Sequence, residues 1–226
     1  MFTQLVRYKP IINEVLIKDY KKICEFGSGS TGIGKFININ FTGIDVSFKD
    51  YGEVDIINKN TKMNRILIKP NHKIPFKDNF FDFSFSVDAF EHINKKKRVF
   101  YLKEMIRISR KNVIVGFPAG KKSLLMDKKL FRIFSFFKIR IPLWLTEHLN
   151  SDYPNIKEFD SFLKKNGYNY EKFFNESFIY HIFYSILERI PIMNLIIQKI
   201  STVIVNFNIF KKLNNGYRVF YLIEKE

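Results

Sequence analysis

The chain has 226 residues, 46% of them hydrophobic and 27% charged, with a formal net charge of +16. That balance suits one α/β core domain with an insertion or small cap and excludes a fibrous or disordered chain. A single cysteine, Cys24, excludes an intramolecular disulfide framework, and the opening MFTQLVRYKP lacks the apolar stretch of a signal peptide, so a reducing, cytoplasmic setting is expected.

The positive charge is concentrated in the middle of the sequence. Residues 1–60 hold 8 Lys/Arg against 7 Asp/Glu, residues 61–140 hold 20 against 6, and residues 141–226 hold 10 against 9. Such a block fits an anionic partner as well as it fits a solvated lysine surface.

Ile11, Ile12, Val15 and Leu16 fall at helical spacing and predict an amphipathic helix over residues 10–20. A short apolar run, Ile23 to Phe26, then breaks into Gly27, Gly29 and Gly32. Twenty residues after Glu25 a second apolar run ends in Asp45. Strand, glycine turn, strand and acid make a nucleoside pocket: glycines admit a ligand close to the backbone, and a carboxylate at a strand tip can accept both ribose hydroxyls. Between the two strands there is room for a short helix capped by Ser30 or Thr31, its N-terminus turned toward the ligand.

After Asp45 the sequence lacks the periodicity of a full crossover helix, so the second helix is expected to be abbreviated. Arg65 to Ile68 reads as a third strand. Phe81, Phe83, Phe85 and Val87 alternate with Asp82, Ser84 and Ser86, the period of a fourth strand, and it ends in Asp88, Glu91 and His92, where open α/β sheets bind ligands. Lys95 to Arg110 predicts a helix with Val99, Leu102, Met105 and Ile106 inward and Lys95, Lys96, Lys97 and Arg98 at its start or outer face. Those four cations oppose the helix dipole and call for an anion nearby. Asn112 to Pro118 reads as a central strand.

The expected fold is a doubly wound, mostly parallel seven-stranded sheet, α/β and Rossmann-like, with a helical cap and insertion. The single domain divides into a core over 10–118, a cap over 119–153 and a C-terminal helix and strands over 154–226. Pro154 to Tyr168 predicts a helix stopped by Gly167, Tyr168 to Ser177 a sixth strand and Gly216 to Lys225 the closing strand. Between these strands lies an apolar insertion, 178–213, in which Met193 to Phe210 repeats at helical spacing. Its charges disfavour a membrane span. Internal packing, a dimer contact and an interfacial position on a membrane stay open.

Four segments in this order resemble the class I S-adenosylmethionine-dependent methyltransferases, in particular the type 11 methyltransferase domain group: Glu25-Phe-Gly-Ser-Gly29, Gly43-Ile-Asp45-Val-Ser47, Ile74-Pro-Phe-Lys-Asp-Asn-Phe-Phe-Asp82 and Val87-Asp-Ala-Phe-Glu91-His92. The resemblance implies S-adenosyl-L-methionine as cofactor, with Glu25, Phe26, Gly27, Ser28 and Gly29 around the methionine end, Asp45 and Val46 at the ribose and Asp88 bordering the transferred methyl. Relatives carry an acid before the third segment to bind the adenine amino group. Here that place reads Lys69-Pro70-Asn71-His72, and Asn71 is the substitute by its side-chain carbonyl.

Gly27, Gly29 and Gly32 also satisfy the G-x-G-x-x-G of NAD(P)-dependent oxidoreductases, but Glu25 would repel a pyrophosphate and the Pro75 to Asp82 run has no role there. A catalytically degenerate basic binding module is the non-enzyme alternative, and the intact Gly27, Gly29 and Asp45 count against it. Under the methyltransferase reading His92 and His148 are the candidate catalytic bases for a hydroxyl acceptor, and Trp144 and Tyr153 candidate lining of its pocket. The four histidines are scattered and only Cys24 offers sulfur, so the sequence displays no metal site. A small or lipid-like acceptor, methylated at oxygen or carbon, is expected ahead of nucleic acid, with an anionic membrane surface as a possible further partner. The sequence leaves the oligomeric state open.

Overall fold

Why the chain arranges itself as it does is clearest from the strand that both layers share. In the computed structural model, which describes residues 2–48, 62–193, 195–196, 199 and 212–225, β4 (Phe81–Val87) is buried along its whole length. Its alternation is therefore one of size rather than exposure. Phe83, Phe85 and Val87 fill one side, while Ser84 leaves room for a helix on the other and donates its hydroxyl to the Met105 carbonyl at 3.2 Å. Such a strand lies in the middle of a sheet covered on both faces.

The sheet runs in the order β3-β2-β1-β4-β5-β7-β6. β1 (Ile23–Phe26), β2 (Phe41–Asp45), β3 (Met63–Leu67), β4 and β5 (Ser109–Pro118) are parallel. β7 (Arg218–Glu224) enters antiparallel between β5 and β6 (Asn169–Asn175). This is the seven-stranded, mostly parallel sheet expected, and its direction of winding reverses between β1 and β4. At that reversal the carboxyl ends of β1, β2, β4 and β5 open a common crest.

One face is covered by α1 (Phe2–Ile17), whose Leu5, Tyr8, Ile11 and Ile12 meet Phe83, Phe85 and Phe220. The helix begins eight residues earlier than its periodicity predicts and passes through Pro10. Proline has no N–H for the carbonyl one turn back, Val6, and the Asn175 side-chain amide donates to that oxygen instead at 2.7 Å. The other face carries α2 (Lys95–Ile108) and α5 (Ile156–Lys165), with Leu102, Met105, Phe159 and Leu163 against Val113, Val115 and Tyr221. Asn94 and Asn155 cap these helices by accepting from Lys96 and Lys157. Lys95 finds its anion in Glu158 at 3.0 Å.

A third cluster stands over the crest. α3 (Gly120–Phe136), α4 (Leu143–Asn150) and α6 (Phe178–Leu187) bury Leu130, Phe134 and Leu145 with Ile182 and Ile186 packed on them. The segment 119–153 holds α3 and α4, and α6 from the later insertion packs against them. The abbreviated second helix, predicted after Asp45, and most of the amphipathic repeat from Met193 to Phe210 lie outside the described residues. Among the described residues no helix is long and apolar enough to cross a membrane.

Candidate active site

The crest has two halves of different construction. In the first, β1 ends at Phe26 and turns at Gly27, whose φ of 76° and whose contact with Ala89, which a Cβ would strike, both require glycine. The Gly29 N–H points at β2 and donates to Asp45 Oδ2 at 2.8 Å. Asp45 Oδ1 accepts from its own neighbours Val46 and Ser47 at 2.7 and 3.1 Å. Partial burial raises this carboxyl above the usual range, against the three N–H groups that hold it down.

Glu25 lies beneath the turn and is fully buried. Tyr8 donates to Oε1 at 2.6 Å, and the Ile33 N–H to Oε2 at 2.8 Å. Burial pushes this carboxyl up to about 8, against those two hydrogen bonds. The segment after the glycines is a single 3-10 turn, Gly32–Lys35, without a side-chain cap from Thr31. Glu25 supplies the acceptor that Ser30 or Thr31 was expected to provide, and Gly32 is glycine because a Cβ would collide with that carboxylate. The Ile33 N–H is therefore taken from within and is not turned toward a ligand.

The second half begins where β4 ends. Asp88, at a φ of 51°, is gripped by Arg218, with Nε and Nη2 donating to its two oxygens at 2.5 and 2.6 Å, and by Arg7 at 3.2 Å. Burial works against its charge, yet the two guanidiniums hold it at about 2. The third Arg218 nitrogen donates to Glu176 at 2.7 Å. Glu176 meets His181 at 3.2 Å, and His181 lies flat on the Tyr217 ring with its other nitrogen 3.3 Å from Asp127. Burial opposes the His181 charge, but Glu176 and Asp127 raise it to about 9, making an imidazolium at neutral pH. Asp127 also accepts from Tyr217 and Tyr153 and pairs with His148 Nδ1 at 3.0 Å. Beyond His148 lie Glu91 and His92, its Nε2 standing 3.6 Å from Glu91 Oε1. The two imidazole centroids are 5.7 Å apart.

Arg98 fixes the loop that carries Glu91 and His92. The sequence placed it at the start or outer face of its helix; it lies in the first turn and is buried, and its Nε donates to the Phe90 and Ile93 carbonyls at 2.9 and 3.0 Å while Nη2 reaches that of Asp152. One side chain thus ties the end of β4 to the segment after α4. Irregular backbone with buried carbonyls needs such a donor, and a cation serves it with several N–H groups at once.

Comparisons with known proteins agree with this crest. A methyltransferase domain family matches residues 24–117, the stretch from β1 to the end of β5. The chain carries a methyltransferase domain. Such a transferase takes its methyl group from S-adenosylmethionine. Solved structures align along almost the whole chain. A possible histamine N-methyltransferase from Thermotoga maritima aligns over 99% of this chain and 89% of its own, at 15% identity and a TM-score of 0.57. The plantazolicin methyltransferase, in complex with S-adenosylhomocysteine, aligns over 100% and 85% at 17% identity and a TM-score of 0.57. The magnesium protoporphyrin IX methyltransferase of Synechocystis, with the same product bound, aligns over 100% and 83% at 10% identity and a TM-score of 0.56. At these identities the likeness is one of fold. No curated protein sequence matches significantly.

In this methyltransferase the sequence-derived residues fall into two groups. Gly27, Ser28, Gly29, Asp45 and Val46 gather at the first half, with Phe26 packed beneath on Tyr101. Asn71, at a φ of 66°, lies exposed on the turn after β3, its N–H bonded to the Tyr101 hydroxyl at 2.8 Å. Asp88, His92 and His148 lie at the second half, where Asp88 is already held by two arginines. Trp144 stacks edge-on to His148 and Tyr153 belongs to the Asp127 cluster. Sequence reasoning missed Arg7, Asp127, Glu176, His181, Tyr217 and Arg218. Asp127 alone left a trace: it is the one acid between Glu104 and Glu147, and it shares a helical stripe with Ser123, Leu130 and Phe134.

Proposed function

We propose that the protein transfers a methyl group from S-adenosylmethionine to oxygen or carbon of a small, lipid-like acceptor at an anionic membrane surface on the cytoplasmic side. The observation that carries the acceptor class is the outer side of α6. Its inner side chain His181 is locked into the network under the cap, while Ile179, Tyr180 and Phe183 project into solvent, Ile179 at 79% exposure. The adjoining α3 presents Lys121, Lys122, Lys128 and Lys129 outward, so an apolar ridge stands next to cations, a combination that suits insertion among anionic headgroups.

For the cofactor, we assign the ribose to Asp45, whose two oxygens keep acceptor capacity beyond the N–H groups they hold. The Gly27 to Gly29 backbone borders the methionine end. Glu25 acts through the turn: bonded to Ile33 and Tyr8, it fixes the path of the glycines rather than offering a free carboxylate. The same arrangement argues against a dinucleotide, because the helix-start N–H that would bind a pyrophosphate is already engaged by Glu25. Methyl transfer is an in-line displacement that chiefly needs alignment and the exclusion of water. With a hydroxyl acceptor, His92 or His148 is the base at hand.

The test is transfer of labelled methyl from S-adenosylmethionine into cell extract, separated into organic and aqueous phases. Label in the organic phase is the expected result. Label confined to the aqueous phase would remove the lipid-like acceptor. No label in either, with no thermal stabilisation by S-adenosylhomocysteine, would remove the cofactor assignment as well.

A further inference from the structure

The second half of the crest contains an arrangement that its hydrogen bonds leave incomplete. Glu91 is 1% exposed, and neither oxygen of its carboxylate has a hydrogen-bond partner among the described residues. Facing it is the Nε2 of buried His148, whose other nitrogen is directed at the Asp127 carboxylate 3.0 Å away. With Nδ1 paired to Asp127, Nε2 stands 3.6 Å from a Glu91 oxygen, beyond the reach of an ordinary hydrogen bond. Donor atoms of Glu91, His92 and His148 all lie within 4.8 Å of one another. Glu147 adds a carboxylate oxygen, also without a hydrogen-bond partner, 4.0 Å from His92 Nδ1.

We propose that Glu91, His92 and His148 form a binding site for a divalent first-row transition metal ion. Two imidazoles and one carboxylate are the donors such ions prefer over magnesium or calcium, which take oxygen ligands. Ligand bonds of about 2.0–2.2 Å bring donor atoms to within roughly 3.5 Å of each other, so the 3.6 Å between Oε1 and Nε2 needs almost no change. His92 has only to swing inward. Asp127 completes the carboxylate–histidine–metal arrangement that fixes the imidazole tautomer and is itself held by Tyr153 and Tyr217. Arg98 keeps the Glu91 loop in place from behind. With the ion bound, His92 and His148 are ligands rather than bases, and coordination stays open for an oxygen of the acceptor. That role rests on the methyltransferase reading, whereas the ion site does not.

The experiment uses the full chain stripped with chelator and titrated with Zn2+ alone by calorimetry. One equivalent per chain at micromolar affinity or tighter is expected. Co2+ in its place should give visible d–d bands without a thiolate charge-transfer band, because Cys24 is buried in β1. Glu91→Gln, His92→Gln and His148→Gln should each weaken Zn2+ binding at least about tenfold, and Asp127→Asn about tenfold with a shifted Co2+ spectrum. The exposed His72→Gln should leave both unchanged. Thermal shift with S-adenosylhomocysteine on the same samples shows which variants are folded, and His92→Gln, at a half-exposed position, serves if the buried variants are not. Absence of a Zn2+ equivalent, which would mean that a proton alone sits between Glu91 and His148, overturns the proposal. So does binding that survives all three ligand substitutions. A protein that takes Zn2+ but not S-adenosylhomocysteine would keep the ion site and lose the cofactor assignment.

Discussion

The two halves of the crest solve the same problem, holding acids at the ends of parallel strands, by opposite means. At β1 and β2 the acids are stabilised by backbone: Asp45 by the N–H groups of Gly29, Val46 and Ser47, Glu25 by that of Ile33 and by one tyrosine. At the end of β4, on α3 and in the turn before α6 they are stabilised by side chains brought from α1, α6 and β7: Arg7, His181 and Arg218 around Asp88, Asp127 and Glu176. Backbone donors come with the turn and cannot be removed singly. Side-chain donors can, and when one goes it leaves a buried charge behind.

That contrast predicts a steep order of mutational effects. Arg218→Met strips Asp88 of its main cation and Glu176 of one of its two, and urea unfolding should show a loss of about 3–5 kcal/mol; a loss under 1 kcal/mol would mean that the network is not buried as a unit. Glu25 tests the backbone-held half through pH. Its carboxyl titrates near 8 when folded and near the ordinary value of 4.5 when unfolded. Below 4.5 both states are protonated and stability is full. As pH rises toward 8 the unfolded chain releases its proton first, so stability falls by up to about 1.4 kcal/mol per pH unit. Glu25→Gln should flatten that decline in a series of melts between pH 4.5 and 8, and an unchanged slope would place its origin elsewhere.

Asp45→Asn should weaken S-adenosylhomocysteine binding by about 1.5–3 kcal/mol in calorimetry while moving the melting temperature little, because a side-chain amide still accepts from Gly29. Equal affinity in the two proteins would remove the ribose assignment. The smallest effect on stability is expected at the cap. Ile179→Asp should change unfolding by less than about 0.5 kcal/mol yet reduce co-sedimentation with anionic vesicles at low salt, and unchanged sedimentation would detach α6 from the membrane.

The same contrast governs what the sequence discloses. The first half is written in consecutive residues: the spacing of Glu25, Gly27, Gly29 and Asp45 follows from one turn and one short crossover, so it can be read before any fold is known. The second half joins Arg7 to Asp88 across 81 positions and Asp88 to Arg218 across 130. No local period encodes such partners, and Arg98, expected at the start or outer face of its helix, shows its role only once the loop carbonyls it serves are in view. The extension of α1 through Pro10 was concealed likewise, since the group that replaces the missing N–H belongs to β6. The positions of the strands and the mostly parallel winding, by contrast, followed from alternation, length and the succession of strands and helices.

The bond between Asn175 and the Val6 carbonyl spans 169 positions, which has a bearing on biosynthesis. The first helix is translated well before β6, which carries the amide that mends its proline gap. Until β6 follows, α1 can lay Leu5 and Ile12 on Phe83 and Phe85, but its Val6 carbonyl goes without this donor. Nascent chains stalled before β6 should hold this helix loosely enough for chaperones or proteases to find it.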